Sequence, residues 1–308
     1  MRASVAAFLP LLHRPPGLPH APVPWRRPSR LFGALSSARE VTSTANPVVK
    51  LAKKLAKTSG KDGLALLEGR RLVGDALGAG LVPRHVLVNP AVLDDDGGAL
   101  RRLLEAAPPS VDVLLAPPHV VAAASATQSP QGVVALLDVP AAPSALQPPP
   151  RLVLALDGVG DPGNLGTLLR TAAAVGADAA VLFNSCCSPW STKALRAAMG
   201  ATFRLPLFSA GSWAEADALL RGEWGLDVRV ADYVDGAAAY DAADWRARSA
   251  LVVGSEGNGI SADLVSALGK GEPTLARVVV PMSNDVESLN AAVAGAVILG
   301  EAARQRRV

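Results

Sequence analysis

The sequence predicts an α/β protein of two unequal units, and three observations carry that prediction. From residue 151 onward, strand-length apolar runs alternate with helical patterns, as in a parallel sheet covered on both faces. Residues 41–139 show the same alternation on a smaller scale. Between them, PAAPSALQPPP at 140–150 holds five prolines, which continue neither a helix nor a central strand and make a stiff linker. A chain of 308 residues, 50% of them apolar and 19% charged, allows about two domains with a sizeable core.

The first unit opens on a helical pattern in which Lys50, Lys53, Lys54 and Lys57 form one stripe, with Leu51 and Leu55 on another face. Such a stripe is either a solvated helix face or a surface for a polyanion. A helix around 69–80, a strand at 84–89, a helix near 98–106 and strands near 111–116 and 132–138 complete a small α/β/α sandwich. The second unit reads as strand 151–159, helix 165–176, strand 178–185, helix 192–199, strand 203–208, helix 212–222 and strand 227–232. Strand 249–254, helix 261–269, strand 277–282 and a last helix 288–307 follow, with no internal repeat.

Residues 1–40 differ from the rest. They carry Arg2, Arg14, Arg26, Arg27, Arg30 and Arg39, scattered serines and prolines, and no acidic residue before Glu40. That composition is expected of an organellar transit peptide; a disordered tail is the alternative, and the apolar run before Arg14 is short for a secretory signal. Setting aside its six arginines and Glu40 turns 30 basic against 27 acidic residues into 24 against 26. The isoelectric point of about 9.1 therefore says little about nucleic acid, and any basic surface of the remainder must be local. The two cysteines, Cys186 and Cys187, are adjacent and lack the spacing of a metal site or a disulfide framework, which fits a reducing interior. No window approaches the roughly 18–20 apolar residues of a membrane span.

Three segments at the C-terminal ends of predicted strands hold the polar residues that suit chemistry: GNLGTLLRTA at 163–172, GSEGNGIS at 254–261 and VPMSNDVESLN at 280–290. Open α/β sheets place their ligands at such strand ends. Gly158, Gly160 and Gly163 also spell a dinucleotide fingerprint, but Pro162 stiffens its loop and the next strand ends at Asn184 where an acidic ribose ligand is expected. Asn164 suits an N-cap for helix 165–176, and Arg170 on that helix is long enough to lean back toward the strand ends. Gly254, Glu256, Gly257 and Gly259 allow a sharply folded loop. Ser288 suits an N-cap for the last helix, with Asn290 in its first turn.

In this order and spacing the three segments resemble the motifs of the SpoU (TrmH) family of RNA ribose 2'-O-methyltransferases, within the SPOUT superfamily of knotted, S-adenosylmethionine-dependent enzymes. The first motif is kept as Asn164, Gly166, Arg170, Thr171 and Ala172, the second as the Gly-x-Glu-Gly-x-Gly run at 254–259, the third as Pro281 and Met282 followed by Ser288, Leu289 and Asn290. Residues 42–55, 66–77 and 125–136 look like the family's RNA substrate-binding domain, so the resemblance spans 41–305. One departure is that Ala291 and Ala292 stand where the family often has Val-Ser.

The resemblance implies an N-terminal α/β/α RNA-binding domain at 41–139, a Pro-rich linker, and a parallel-sheet SPOUT domain with a trefoil knot at 151–308. It implies S-adenosylmethionine as donor with no metal, and a homodimer whose site is completed across the interface. RNA is the implied partner, rRNA before tRNA. Arg170 would engage the ribose 2'-hydroxyl and adjacent phosphate, positioned by Asn164. Glu256, Ser288 and Asn290 correspond to polar site residues, and Gly254, Val280 and Leu289 to contacts with the donor. Lys50, Lys53, Lys54 and Lys57 would bind RNA phosphates. A guanidinium stays protonated, so Arg170 suits stabilisation of a developing alkoxide better than proton removal. Chloroplast stroma or mitochondrial matrix is the expected location. A catalytically silent RNA-binding or assembly protein, or a nicotinamide-dependent oxidoreductase, would be the other classes.

Overall fold

A computed structural model of the chain describes residues 33–60, 62–234, 236–283 and 288–307, so most of the expected transit peptide lies outside the described residues. The first sheet joins β1 (Arg39–Glu40), β2 (Leu64–Glu68), β3 (His85–Val88), β4 (Asp112–Leu115) and β5 (Val133–Asp138) in the order β1-β4-β3-β5-β2. β1, β4 and β3 run parallel, while β5 is antiparallel to both β3 and β2. Helices α1 (Pro47–Thr58) and α4 (Pro118–Ala123) bury Val48, Val49, Leu55, Val120 and Val121 against Leu66, Leu87, Leu114 and Leu136 on one face. Helices α2 (Arg70–Gly78) and α3 (Ala99–Ala106) pack on each other and α2 on β2 and β5. The residues pointing the other way, Leu67, Val86, Val113 and Ala135, are equally buried. The sandwich matches the sequence reading, with β1, β2 and α4 added to it.

The second sheet has seven strands: β6 (Leu152–Asp157), β7 (Ala179–Phe183), β8 (Leu207–Ser209), β9 (Asp227–Ala231), β10 (Ala238–Ala239), β11 (Ser249–Val253) and β12 (Leu275–Val279). Their order is β10-β12-β9-β11-β6-β7-β8, and every pairing is parallel. Strands buried on both faces need continuous apolar sequence. The alternation is visible in β6, where Leu152, Leu154 and Leu156 meet α5 (Pro162–Val175) and α9 (Ala291–Arg306), while Val153 and Ala155 face the layer of α7 (Trp213–Asp217) and α8 (Ala262–Leu268). The sixth helix, α6 (Thr192–Ala198), packs on α5.

The chain winds outward from β6 to β8, crosses to β9, then inserts β11 between β9 and β6. The reversal of winding thus falls between β6 and β11, and in open α/β sheets such a switch point opens a crevice outside the strand ends. Residues 201–203 form a short 3-10 turn, so the expected strand there shrinks to β8. The helix expected at 212–222 begins as α7 and continues as a π-helical turn, Ala218–Glu223. The two sheets are joined by more than the proline-rich segment. Buried Ser59 after α1 donates to the carbonyl of Trp190 at 2.6 Å and accepts from the Leu66 amide at 3.0 Å, and Arg204 reaches Asp75 at 3.4 Å. No helix among the described residues is long and apolar enough to cross a membrane.

Candidate active site

At the switch point, three side chains from three loops close into one network. Glu256, at the tip of the loop after β11, accepts from the Asn164 amide at 2.9 Å and the Asn290 amide at 2.7 Å. The Asn290 amide also donates to the Asn164 carbonyl oxygen at 3.0 Å. The amide orientations are fixed from one side: Asn290 Oδ1 caps α9, accepting from the Ala292 and Val293 backbone at 3.0 and 3.2 Å, which turns its NH2 group toward Glu256. An acceptor-only carboxylate is thus held between two amide donors, in a geometry set by backbone.

Two of these positions differ from the sequence expectation in a way that matters. Asn164 is not the cap of α5. The helix starts at Pro162, which needs no N–H partner at its first position, and Asp161 caps it by accepting from the Asn164 backbone at 2.7 Å. Relieved of capping, the Asn164 side chain is available to Glu256. Likewise Asn290, not Ser288, caps the last helix, which begins three residues later than expected.

The loop carrying Glu256 is sharply folded by a two-way backbone bridge, Ser255 N–H to Gly259 carbonyl at 2.8 Å and the reverse at 2.9 Å. Gly259 takes φ +64°, where a side chain is strained, and a Cβ on Gly254 would lie 2.6 Å from the Gly259 carbonyl oxygen, so that position does not accept one without rearrangement. The far end of the loop is fastened by Asp157, the last residue of β6, which is only 2% exposed. Its carboxylate accepts from the backbone and hydroxyl of Ser261, both at 2.7 Å, and from the Asn184 amide at 2.8 Å. Asn184 and Ser185 hold φ +52° and +61° where β7 ends. One buried carboxylate therefore ties together the exits of β6 and β7 and the loop after β11. Nothing in the sequence distinguishes Asp157 from any strand-end turn aspartate, and sequence reasoning missed it.

Beside the network lies a cleft of about 190 Å3. Gly254, Glu256, Val280, Ser288 and Leu289 all line it, as do Asp232 and Tyr233 after β9, which sequence reasoning did not single out. Asp232 is held by Arg277 at 2.9 Å. The cleft thus joins the exits of β9, β11 and β12 to the start of α9, with an apolar floor from Val253, Val278 and Ile298 and carboxylates at its rim.

Arg170 stands apart. Six residues past Asn164, about 240° around the helix, it is exposed and has no hydrogen bond or ion pair among the described residues. Lys50, Lys53, Lys54 and Lys57 are likewise exposed on α1, opposite its buried Val48, Ala52 and Leu55, without an ion pair among the described residues. The glycine run at 158–163 lacks an anion site: the Asp161 carboxylate already occupies the head of α5 and would repel a pyrophosphate. Burial pushes the Cys187 thiol up to about 11 and raises that of Cys186 too, so neither is a ready thiolate near neutral pH.

Residues 151–300 match the SpoU rRNA Methylase family and residues 46–135 the MRM3-like substrate binding domain. An uncharacterized tRNA/rRNA methyltransferase of Synechocystis is 34% identical, over 90% of this chain and 97% of its own length. The 23S rRNA (guanosine(2553)-2'-O)-methyltransferase RlmP of Bacillus subtilis is 32% identical, over 85% and 98%. The mitochondrial rRNA methyltransferase 3 of Homo sapiens is 30% identical, over 80% and 69%. Among solved structures, the AdoMet-bound rRNA methyltransferase of Sinorhizobium meliloti superposes with a TM-score of 0.73 at 27% identity, covering 87% of this chain and 98% of that one.

Proposed function

The chain belongs to the SpoU rRNA methylase family, and from that premise we propose that it transfers a methyl group from S-adenosylmethionine to a ribose 2'-hydroxyl of organellar ribosomal RNA. The observation that carries this reading is the Asn164–Glu256–Asn290 network set against a glycine-walled cleft at the switch point.

The cleft suits the donor in shape and charge. Its glycine wall at Gly254 lets a flat group approach the backbone, Val280 and Leu289 give apolar contact, and Glu256 and Asp232 offer negative charge to a sulfonium. When bound, S-adenosylmethionine supplies an already activated methyl group, so what the protein must add is position and stabilisation of charge. Asn164 and Asn290 hold Glu256 in one orientation, and Ser288 lines the cleft beside it. Arg170 takes the ribose hydroxyl and its neighbouring phosphate, lowering the hydroxyl's pKa and stabilising the alkoxide as it forms.

Arg170 reaches no partner among the described residues of its own chain, which favours a site completed by a second copy. It sits on the helix against which α9 packs, and α9 presents Val293, 49% exposed, with half-buried Ala296 and Val297 on the same side. We read this as the face of a homodimer. The C-terminal trefoil knot belongs to the same reading and is carried over from the family.

Organellar rRNA is favoured over tRNA by the human and zebrafish relatives, both named mitochondrial rRNA methyltransferases, although this chain spans 65% of the zebrafish protein. The acid-free, arginine-rich residues 1–39 support import. A reporter carrying residues 1–50 is expected in mitochondria or chloroplasts, and its retention in the cytosol would overturn the location. Calorimetry is expected to show binding of S-adenosylmethionine and none of nicotinamide dinucleotides; the opposite result would return the oxidoreductase reading. Loss of the protein should erase a 2'-O-methyl mark from organellar rRNA. A mark lost from tRNA instead would correct the substrate.

A further inference from the structure

A second cavity, of about 430 Å3, lies where the lysine helix meets the larger sheet. That volume falls in the roughly 300–1,000 Å3 range of small-molecule sites. Its walls are Lys57 and Ser59 from the end of α1, Pro162 at the head of α5, Cys187 and Ser188 after β7, and Ser191 and Thr192 at the head of α6. It therefore opens at the same edge of the sheet as the donor cleft: the cleft serves the exits of β9, β11 and β12, this cavity those of β6 and β7. Between the two stands the network of Asn164, Glu256 and Asn290, and Asn164 is two residues from Pro162.

The cavity reaches from Lys57 at the end of the lysine helix to Pro162, two residues from Asn164, so a strand of RNA running from the lysines to Asn164 and Glu256 along this side passes over it. Its chemistry divides along its length. Lys57 is exposed and unpaired among the described residues, which suits a phosphate. Toward α5 the charge reverses, because the Asp161 carboxylate lies close enough to Cys187 to raise its thiol pKa further, and a phosphate there would be repelled. The intervening walls are neutral hydroxyl and thiol groups. Ser59 and Ser191 are committed within the chain, while Ser188 keeps a lone pair beyond its Trp190 amide and Gly60 carbonyl contacts. The Thr192 hydroxyl has no partner among the described residues, which leaves room and hydrogen-bonding groups for a base and its sugar.

Resting on the reading of the chain as an RNA methyltransferase, we infer that this junction cavity seats the nucleotide flanking the methylated one, its base and ribose between Ser188, Thr192 and Cys187 and its phosphate on Lys57. The site would fix which ribose along a bound strand reaches Glu256. Filling the cavity is then expected to harm RNA binding and leave the donor alone.

The test uses the full chain, a short random-sequence RNA oligonucleotide as probe, and S-adenosylmethionine. Cys187→Phe should weaken RNA binding by about tenfold, the scale of losing one buried anchor in an interface, with donor affinity unchanged by calorimetry. Lys57→Gln, on an exposed residue whose replacement leaves the fold alone, should weaken it more than Lys50→Gln, which lies outside the cavity. If wild type binds RNA and both cavity variants bind as well as Lys50→Gln, the inference is overturned while the methyltransferase reading stands. If wild type takes the donor but no RNA, both fall together.

Discussion

Asn290 does two jobs with one amide, and they can be separated by a single atom. Its oxygen caps α9 and its nitrogen holds Glu256 and Asn164. Asn290→Asp keeps a good cap, favoured further by the helix dipole, but places a second carboxylate against Glu256. Melting should stay near that of wild type while methyl transfer falls about 100-fold or more, as when one preorganised donor is lost. A variant that loses stability and turnover in proportion would reduce the network to a structural role. Arg170→Ala should likewise cost about 10²–10³ in rate with donor affinity nearly unchanged, since Arg170 lies outside the donor cleft. Arg170→Lys should fail too, because an ammonium does not reproduce the planar fork of a guanidinium. Retained turnover in either would remove Arg170 from the chemistry.

Among elements, α1 is the one whose purpose its pattern leaves open. Its four lysines are solvent-facing and lack ion pairs among the described residues, so their mutual repulsion goes uncompensated there. Changing all four to Gln should weaken RNA binding and flatten its salt dependence by roughly 0.7–0.9 in slope for each phosphate the helix no longer neutralises, without moving donor affinity. An unchanged slope would make the stripe a solvated face.

The element scale also shows what a sequence can and cannot display. The buried parallel strands and the helix faces were legible because apolar periodicity is a local signal; β6 with its leucines on one face and Val153 and Ala155 on the other is plain. Caps were less so. Asp161, Asn164, Ser288 and Asn290 are all competent caps, and the winner is decided by Pro162 at the first helical position and by what Glu256 draws toward it. Strand β2 was hidden because its leucines run straight into α2. The Asp157 clamp and the junction cavity had no sequence signal, since each joins segments that only the tertiary fold brings together.

For the whole molecule, the proposed pair of chains rests on Arg170, unpartnered among the described residues, and on the exposed side of α9. Mixing Arg170→Ala with Asn290→Ala protein should restore part of the activity if subunits exchange and each contributes to its neighbour's site. Exchange without any recovery would confine the site to one chain. Network, arginine and donor cleft together lead to one product. Incubating the protein with organellar rRNA and S-adenosylmethionine labelled in the methyl group, then digesting the RNA to nucleosides, should place the label on a ribose 2'-oxygen for wild type and there about 10²–10³ times more slowly for Arg170→Ala, although both bind the donor. Label found on a base, or equal label from the two proteins, would contradict the assignment of the network and Arg170 to ribose methylation.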